Sequence, residues 1–429
     1  MKSSKYNITV PINENISLVV NTFSGAYILL KSSIAQMLQN HDIASIAEAH
    51  EVQYNMLIKE GIIIDDNLDE LASVENKKLL SRFDTRHYHL TINPTLNCNL
   101  DCWYCYESHI KQSQMTEDTV QKVLRHLETH HEITNYSYLT IAFFGGEPFL
   151  KPALIEEFTK EIKAFCDREK IKLDYSITTN GTLITKSILE KFKDVPVSFQ
   201  ITFDGDNTRH DKVRHYVGSE KGSYNRIIES LKAISETLSD YHIIIRINYD
   251  LNTLKDIPKI LNDIDFLPRK KVVLSLHKVW QVTEKVDKSL IYGFINEAND
   301  KKFIVDYHQL TDGVGGCYAD RYNQCVINFN GDIYKCTARD FSKENREGIL
   351  SHNGRITWKV NRLINRMALL SDKTCRECIL YPACPGLCSQ ARLEGMSGEK
   401  SCQIPFDELN DILLLNYNQK VLGQEIERL

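Results

Sequence analysis

The sequence contains no apolar run long enough to cross a lipid bilayer. The longest runs, such as Leu139 to Phe144, are far shorter than the roughly 20 residues of a membrane-spanning helix. The first ten residues, Met1 to Val10, also lack the apolar core of a secretory signal peptide. Low-complexity segments are missing, and 42% of the 429 residues are hydrophobic, which is typical of a globular chain with two or three domains. We therefore expect a cytoplasmic protein without membrane partners.

Clustered basic charge is also missing. The formal net charge is -5, and the short basic stretch from Arg269 to Lys271 is typical of a solvated loop before a strand. Binding to nucleic acid requires a surface rich in lysine and arginine that neutralises phosphates. We therefore expect no nucleic-acid partner.

Cysteine, in contrast, is abundant and unevenly distributed. The reducing cytoplasm disfavours disulfides, so the 12 cysteines point to metal ligation or catalysis. One group is Cys98, Cys102 and Cys105; Cys166 stands alone; the last third holds Cys317, Cys325, Cys336, Cys375, Cys378, Cys384, Cys388 and Cys402. Three thiolates can hold a 4Fe-4S cluster with one open iron, and eight can hold two fully ligated clusters. We expect Cys166 to be a small buried apolar side chain.

Strand and helix patterns alternate through the middle of the chain. Six apolar, β-branched segments predict strands at Tyr88–Asn93, Leu139–Phe144, Leu173–Thr178, Val197–Phe203, Ile243–Asn248 and Val272–His277. Helical patterns fall between them, which predicts an α/β fold with a parallel sheet and right-handed crossovers. The sheet is either open and doubly wound or an incomplete barrel. In a barrel, the chemistry sits on the loops that follow the strands.

Two of these loops carry unusual residues. After the first strand comes a CxxxCxxC motif formed by Cys98, Cys102 and Cys105. This spacing also suits zinc, although a zinc site normally has a fourth ligand nearby, and His109 is the nearest candidate. After the second strand comes the GGEP sequence from Gly145 to Pro148, whose glycines let the backbone approach a ligand closely.

Together, CxxxCxxC and GGEP at successive strand ends resemble the radical S-adenosylmethionine superfamily, over roughly Tyr88 to Lys302. The resemblance implies a partial (β/α)6 barrel of TIM type. It also implies that the three cysteines hold a catalytic 4Fe-4S cluster whose open iron is chelated by S-adenosylmethionine. Tyr104 would lie near the adenine. The methionine amino group would be received by Gly145, Gly146 and Glu147.

Polar residues recur at later strand ends. Ser176, Thr178 and Asn180 alternate onto one face of the third strand, and Gln200, Thr202 and Asp204 do so on the fourth. A barrel interior with internal hydrogen bonds or water would explain them without a ligand. By the family resemblance, Ser176 and Asn180 approach the ribose or carboxylate of the cofactor. Asp204, Arg246 and Asn248 are further candidates for cofactor contacts.

The spacing of the last eight cysteines resembles the SPASM domain, an auxiliary-cluster module of peptide- and protein-modifying radical enzymes. By that resemblance, one auxiliary 4Fe-4S cluster is held by Cys317, Cys325, Cys336 and Cys388, and a second by Cys375, Cys378, Cys384 and Cys402. Two structural zinc sites are the alternative, because CxxC pairs also bind zinc. The segment Val326–Tyr334 is predicted to be a hairpin around an Asn330-Gly331 turn that aims Cys336 inward.

The N-terminal segment predicts three short strands, at Tyr6–Val10, Ser17–Asn21 and Ala26–Leu30, followed by helices Ser32–Gln39, Ala44–Glu48 and Gln53–Glu60. This winged-helix-like order resembles the small peptide-recognition domain of the pyrroloquinoline-quinone pathway and of ribosomal-peptide modification. A winged helix can instead bind DNA. The third helix, however, offers Lys59 as its one basic side chain, too few for phosphate contacts.

These features predict four segments: a peptide (leader) recognition domain at 1–86, a radical S-adenosylmethionine barrel at 87–305, a SPASM domain at 306–405 and a C-terminal helix at 406–429. The expected function is an oxidative intramolecular cross-link, carbon-carbon, carbon-oxygen or thioether, in a ribosomally made precursor peptide. The expected partners are a precursor peptide with a leader and a small electron donor such as flavodoxin or ferredoxin.

Two other functions stay open. An anaerobic sulfatase maturase shares both cluster modules, but such enzymes lack a long segment before CxxxCxxC and carry aspartate directly after the cysteine that matches Cys336. This chain has Thr337 there. Asp340 is the nearest carboxylate and would be the catalytic base if its loop bends toward the barrel. The third possibility is a non-catalytic iron-sulfur electron-transfer or scaffold protein.

Overall fold

The computed structural model describes residues 1–308, 310, 316–368, 373–384, 386, 388–395 and 404–428, except for the side chains of residues 255–258 and 368. Its contacts divide the chain into two compact units. Unit 1 comprises Met1–Asp84, His308–Tyr322 and Asn361–Val421, and unit 2 comprises Thr85–Tyr307, Asn323–Val360 and Leu422–Leu429. The segment 306–405, predicted as one domain, therefore contributes to both units.

After a two-residue strand that the sequence did not predict, unit 1 shows the expected order of three strands and three helices. Its first elements are β1 (Lys2–Ser3), β2 (Asn7–Pro11), β3 (Ile16–Asn21), β4 (Ala26–Lys31), α1 (Ser32–Gln39), α2 (Ile43–Ala49), α3 (Glu51–Lys59), β5 (Ile63–Ile64) and α4 (Glu70–Arg82). Strands β2, β3 and β4 form an antiparallel sheet with β3 in the centre. The side chains of Val19, Ile34, Leu38, Ile46 and Leu57 build a common core between this sheet and the helices.

Unit 2 is built on an open sheet of eleven strands. Its strands are β6 (His87–Ile92), β7 (Tyr138–Phe143), β8 (Lys172–Thr179), β9 (Val197–Phe203), β10 (Tyr241–Tyr249), β11 (Val272–Lys278), β12 (Ile304–Asp306), β13 (Gln324–Ile327), β14 (Asp332–Tyr334), β15 (Gly348–Leu350) and β16 (Ile356–Trp358). Their order in the sheet is β12-β11-β10-β9-β8-β7-β6-β13-β14-β15-β16. From β12 to β13 all neighbours are parallel, whereas β13 to β16 pair antiparallel.

The helices of unit 2 lie between the parallel strands in the sequence. They are α5 (Glu117–Thr134), α6 (Pro152–Glu169), α7 (Lys186–Leu189), α8 (Asn207–Val213), α9 (Tyr224–Thr237), α10 (Thr253–Asp263) and α11 (Lys288–Asp300). Local sequence explains several starts: Thr116 caps α5 by accepting from the Thr119 N–H, and Asp287 caps α11 by accepting from the Ser289 N–H. Short 3-10 helices cover Pro148–Leu150, Glu190–Phe192, Arg269–Lys271, Tyr318–Asp320 and Phe406–Glu408.

The predicted α/β fold with a partial (β/α)6 barrel is confirmed. All six predicted strands are present as β6 to β11, and the alternatives left open by the sequence resolve to an incomplete barrel whose sheet does not close. Their central side chains, such as Leu90, Ile141, Ile177 and Ile245, are fully buried. The sequence did not predict that β13 extends this sheet in parallel with β6. That pairing joins Asn323–Val360 to the barrel unit.

Unit 1 is completed by four helices, α12 (Val360–Ala368), α13 (Lys373–Glu377), α14 (Ser389–Leu393) and α15 (Leu409–Arg428). The first residue of α12 and the end of α15 are assigned to unit 2. Helix α15 is the predicted C-terminal helix, and its Leu413 packs against Val10, Leu18 and Val20 of the N-terminal sheet. Helix α4, which the sequence did not predict, places Val74 against Tyr6 and Tyr381. None of the described helices is long and apolar enough to cross a membrane.

Candidate active site

The cysteine triad lies on the loop that follows β6. The Cys105 N–H donates to the Cys102 carbonyl at 3.0 Å, which closes a tight turn, and the Leu100 N–H lies 3.5 Å from Cys98 Sγ. The loop is clamped from outside, because the Asp101 N–H donates to the His215 carbonyl at 3.0 Å. These bonds order the loop through its backbone and leave the three thiols as free cysteines.

The GGEP turn packs directly onto the backbone of the cysteine loop. The Glu147 N–H donates to the Asn97 carbonyl at 2.8 Å. A β-carbon on Gly146 would lie 2.2 Å from that carbonyl oxygen, and one on Gly145 would lie 2.3 Å from the Thr95 carbonyl oxygen. Gly145 also has a φ of +104°, which side-chain-bearing residues rarely adopt. Glycine is therefore required at both positions for the two loops to approach each other.

The Glu147 carboxylate is fully buried and held by three donors. It accepts from the Phe149 N–H at 3.0 Å, the Thr179 hydroxyl at 2.9 Å and the Asn180 N–H at 2.7 Å. The Asn180 side chain in turn lies 3.6 Å from Cys98 Sγ. The structure thus brings together Cys98, Glu147 and Asn180, three predicted site residues from three strand ends. Thr179 was missed, because strand alternation pointed to its neighbours Thr178 and Asn180 instead.

Burial raises the pKa of Glu147 from 4.5 to about 7, although its hydrogen bonds from Asn180, Phe149 and Thr179 act in the opposite direction. A carboxyl group that is buried and charged is costly without a cation beside it. The site therefore fits a ligand that brings a positive charge, such as a primary ammonium group.

Glu147 should make the stability of the protein depend on pH. A carboxyl pKa that is higher in the folded than in the unfolded state stabilises the fold below pH 4.5, and this contribution is lost as the pH rises toward 7. The loss is about 3 kcal/mol at most. We expect the melting temperature to fall less steeply between pH 5 and 8 in Glu147→Gln than in wild type. The surface variant Glu156→Gln serves as the control, and equal slopes in all three proteins would contradict the argument.

Tyr104 is the centre of a second polar group. Its hydroxyl donates to the Asp204 carboxylate at 2.7 Å and accepts from Arg214 Nη1 at 2.8 Å and Asn248 Nδ2 at 3.0 Å. Arg246 Nε donates to Asn248 Oδ1 at 2.8 Å. The structure therefore joins the predicted residues Tyr104, Asp204 and Arg246 in one network at the ends of β9 and β10.

Arg214 was not predicted, since it follows α8 outside any recognised motif. Burial acts to lower the pKa of Arg214, but the neighbouring Cys102, Tyr104 and Asp204 hold it well above its usual value. Its Nε is buried and has no hydrogen-bond partner among the described residues. Arg214 is thus a cation beside the cysteine loop with one donor left for an anionic ligand group.

Ser176 is half-buried on β8, in register with Ala142 and Ser198. Ser176 lies in the middle of β8, whereas Thr179 ends the strand and Asn180 follows it. The polar group around Glu147 therefore forms at the end of the strand. The structure gives Ser176 no part in either polar group.

Asp340 lies against the segment that follows the cysteine triad. Its Oδ1 accepts from the Ser108 N–H at 3.0 Å, and the Tyr106 hydroxyl donates to the Thr337 carbonyl at 2.8 Å. These two hydrogen bonds hold the Thr337–Asp340 loop against residues 106–108. Glu107, which was not predicted, is beside it: burial and then the charge of Asp340 raise the pKa of Glu107 to about 8.

Two of the C-terminal cysteines belong to unit 2. Cys325 is buried in β13. Cys336 lies two residues after the end of β14, the other arm of the predicted hairpin, whose register pairs Val326 with Tyr334. The turn closes through Gly331, with a φ of +82° and its N–H donating to the Asn328 carbonyl at 2.8 Å. The predicted Asn-Gly hairpin is thereby confirmed.

Unit 1 contains Cys317, Cys375, Cys378, Cys384 and Cys388, whereas Cys402 lies outside the described residues. Consecutive tight turns connect three of them: the Cys378 N–H donates to the Cys375 carbonyl at 3.1 Å, and the Cys384 N–H to the Leu380 carbonyl at 2.8 Å. Cys375 and Cys378 share the core around Tyr381, and Cys378 and Cys384 share the core around Leu380. Cys166 is buried in α6, as expected.

Several cysteine sulfurs lie close to a backbone N–H group. Four sulfurs lie within 3.3 to 3.5 Å of the backbone N–H two residues later, namely those of Cys98, Cys336, Cys378 and Cys384. Hydrogen bonds to a thiolate favour its charged form. Burial nevertheless raises the pKa of Cys98 to about 12 and that of Cys105 to about 11, so a bound cation is needed to ionise them.

Binding of single zinc ions was the alternative to iron-sulfur clusters for these cysteines. No group of three or more His, Cys, Asp and Glu side chains in the described part of the chain is arranged to hold one metal ion. His109 Nε2 lies 3.5 Å from Cys105 Sγ. In an iron-sulfur cluster each thiolate binds a different iron, so the cysteines need not meet at one point.

Comparison with known families agrees with this geometry. Residues 92–264 match the model of the Radical SAM superfamily. The matched segment runs from the last residue of β6 through α10. Members of this superfamily use a 4Fe-4S cluster and S-adenosylmethionine.

Two related proteins are similar over more than two thirds of this chain. The chain is 25% identical over 369 residues to the radical SAM cyclopropyl synthase TigE of Paramaledivibacter caminithermalis, covering 78% of this chain and 75% of that protein. It is 27% identical over 329 residues to a cysteine-type anaerobic sulfatase-maturating enzyme of Clostridium novyi, covering 68% of this chain and 85% of that protein.

Two solved structures share the fold. The enzyme anSMEcpe with bound AdoMet and the Cp18Cys peptide superposes with a TM-score of 0.59 at 18% identity, covering 80% of this chain and 99% of that one. Streptococcus suis SuiB bound to its precursor peptide SuiA superposes with a TM-score of 0.53 at 17% identity, covering 94% of this chain and 100% of that one.

Proposed function

We propose that this protein is a radical S-adenosylmethionine maturase that installs an oxidative intramolecular cross-link in a ribosomally made precursor peptide. The observation that carries the proposal is the meeting of Cys98, Glu147 and Asn180 at adjoining strand ends. The winged-helix-like order before the barrel and the eight cysteines after it add the parts that a peptide-modifying enzyme needs.

The residues of the site suit the family's cofactors. Cys98, Cys102 and Cys105 would hold the catalytic 4Fe-4S cluster, and Gly145, Gly146 and Glu147 would receive the amino group of S-adenosylmethionine. Arg214 supports the carboxylate of the same molecule, because its Nε is a buried donor without a partner among the described residues. When bound, the cluster and S-adenosylmethionine supply a 5'-deoxyadenosyl radical that abstracts a hydrogen atom from a substrate.

The chain's own contribution is orientation and exclusion of water. The three donors around Glu147 hold its carboxylate in one position, so a bound ammonium group would be placed against the cysteine loop. Hydrogen bonds with Asp204, Arg214 and Asn248 fix the Tyr104 ring within the same loop. Asp340 would take a proton from the substrate, since its loop lies against the segment after the triad.

The auxiliary clusters are the second part of the proposal. Cys317, Cys325, Cys336 and Cys388 would hold one 4Fe-4S cluster, and Cys375, Cys378, Cys384 and Cys402 the other. The turns and N–H···S contacts at Cys336, Cys378 and Cys384 support thiolate ligands there. These eight cysteines would hold groups that supply an electron acceptor for oxidative closure of the substrate.

The substrate is proposed to be a peptide with a leader that adds a strand to the sheet of unit 1. Strand β4 is an edge strand of that sheet, and an edge exposes backbone groups that pair with an extended chain. The peptides named with the solved structures of SuiB and anSMEcpe support a peptide substrate. We further propose a cytoplasmic location and a small electron donor such as flavodoxin or ferredoxin.

An anaerobic sulfatase maturase is the second candidate. The relative from Clostridium novyi and the fold of anSMEcpe favour it. Thr337 at the position directly after Cys336, where such maturases carry aspartate, speaks against it. A non-catalytic electron-transfer or scaffold role has less support, because the triad and the GGEP turn are both intact.

Mass spectrometry of the peptide tests the function. We expect the short peptide encoded beside this gene to lose hydrogen atoms after anaerobic incubation with the reconstituted, reduced enzyme and S-adenosylmethionine, in step with the formation of 5'-deoxyadenosine. An unchanged peptide despite cleavage of S-adenosylmethionine would contradict the proposal and favour a sulfatase or another protein substrate. Fragmentation of the product would locate the new bond.

A further inference from the structure

A buried hydrogen-bonded chain runs from helix α5 to Cys325. The Tyr88 hydroxyl lies 2.6 Å from His126 Nε2 and 3.0 Å from Cys325 Sγ. Tyr88 and Cys325 are 1% exposed and His126 is 3% exposed, so water does not compete for these contacts. The parallel pairing of β6 with β13 brings Cys325 and Tyr88 together.

The carbonyl of Gly354 determines where the protons lie. His126 Nδ1 is 2.7 Å from that carbonyl oxygen, which can only accept, so Nδ1 carries a proton. Burial and the neighbouring His130 lower the pKa of His126 to about 4, which leaves the ring neutral at pH 7 and Nε2 an acceptor. The single hydroxyl proton of Tyr88 therefore faces two atoms, His126 Nε2 and Cys325 Sγ.

The surroundings of Cys325 fit a negatively charged sulfur. The Lys335 side chain is fully buried, and the positive charge of its ammonium group acts on the Cys325 sulfur. A buried cation that acts on one thiol suits a thiolate that binds a cluster.

We propose that Tyr88 and His126 together set the reduction potential of the cluster that Cys325 helps to hold, with Tyr88 as hydrogen-bond donor to the thiolate and His126 as the competing acceptor. This inference rests on the proposed function in one respect, the assignment of Cys325 as an auxiliary-cluster ligand. Hydrogen bonds to cluster sulfurs raise the potential, because they stabilise the more negative, reduced state. Tyr88 and His126 are positioning residues, since neither binds iron.

The two residues should act in opposite directions. In Tyr88→Phe the donor is lost, so the potential of this cluster should fall; a tenfold drop in the ratio of reduced to oxidised cluster corresponds to about 59 mV for one electron. In His126→Phe the competing acceptor is lost, the Tyr88 proton turns to the sulfur, and the potential should rise. The double variant should match Tyr88→Phe, because an acceptor has no effect without the donor.

The measurement is a redox titration followed by electron paramagnetic resonance on the full chain carrying Cys98→Ala, Cys102→Ala and Cys105→Ala, in which only auxiliary clusters remain. Tyr136→Phe is the matched control: this buried tyrosine also contacts the Tyr88 ring, at 5.4 Å between centroids, but its hydroxyl bonds to the Leu127 carbonyl. Cys325→Ser identifies the signal that belongs to the Cys325 cluster, and the other auxiliary signal is the internal reference.

Opposite shifts in Tyr88→Phe and His126→Phe, with none in Tyr136→Phe, would support the inference. Unchanged potentials in both variants, with Cys325→Ser altering its signal, would overturn the inference and leave the proposed clusters intact. An unaltered iron content and unaltered signals in Cys325→Ser would remove the ligand assignment and the inference with it. If Tyr88→Phe does not load iron, the reduction potential of His126→Phe still tests the inference: a rise supports it, and an unchanged potential overturns it. None of these readouts depends on peptide turnover, which is tested separately.

Discussion

Replacing Cys98, Cys102 and Cys105 by alanine is expected to reduce formation of 5'-deoxyadenosine to the level of a reaction without enzyme. No other described side chain in the loop can replace three thiolates, and cleavage of S-adenosylmethionine requires the cluster that they would hold. Anaerobic incubation with dithionite and S-adenosylmethionine, followed by quantification of 5'-deoxyadenosine, measures the effect. Iron and sulfide analysis should show the loss of one cluster and retention of two.

Cys166→Ala is the matched control for this loss. Cys166 is a buried cysteine of α6 that shares no hydrogen bond with the triad, so its replacement removes a thiol without touching the proposed ligands. Cleavage by Cys166→Ala should equal that of wild type. Residual cleavage of S-adenosylmethionine by the triple variant would show that the reaction does not use this loop. Loss of all iron from the triple variant would assign the C-terminal cysteines to another role.

The second large effect is expected on binding of the precursor peptide. Leu29 of the edge strand β4 and Val52 of helix α3 are 44% and 79% exposed, although both are apolar. If the leader covers both side chains, aspartate at the two positions places two charges in the interface and removes apolar area worth about 1.5–3 kcal/mol for each fully buried side chain. We expect at least a tenfold rise in the dissociation constant for the leader peptide, since about 1.4 kcal/mol is a factor of ten.

Fluorescence anisotropy of a labelled leader peptide measures this affinity, and formation of 5'-deoxyadenosine without peptide should remain at the wild-type level. Ile133→Asp is the control, because Ile133 is an exposed apolar side chain of α5, 65% exposed, outside unit 1. Equal affinities for all variants would show that the leader binds elsewhere. Loss of cleavage in the Leu29 and Val52 variant would show that the substitutions act through the fold.

Sequence spacing was informative wherever a chemical requirement is local. Three cysteines at CxxxCxxC spacing and two glycines before Glu147 are each set by backbone geometry within a few residues, and the structure shows why those glycines cannot carry a side chain. The six parallel strands were predictable for a similar reason, because burial on both faces selects continuous β-branched segments. The turn at Gly331 follows from the φ that an Asn-Gly pair adopts.

Other site residues were beyond sequence reasoning because their partners are distant in the chain. Thr179 reaches Glu147 across 32 positions, and Arg214 reaches Tyr104 across 110. Neither carries a motif, and threonine and arginine are common on surfaces. Their roles come from the tertiary fold, which brings the end of β8 to Glu147 and the end of α8 to Tyr104.

What the sequence alone determined is the class of chemistry: cysteine and glycine spacings are local, and they define the radical S-adenosylmethionine domain and the thiols available for clusters. The tertiary structure decided which polar groups meet those thiols. It placed Asn180 beside Cys98 and Arg214 beside Cys102, and it brought Tyr88 to Cys325 through a strand pairing that spans 237 residues of sequence. The physical reason is that hydrogen bonds and charges act over a few ångströms in space, whereas sequence patterns report only on near neighbours along the chain.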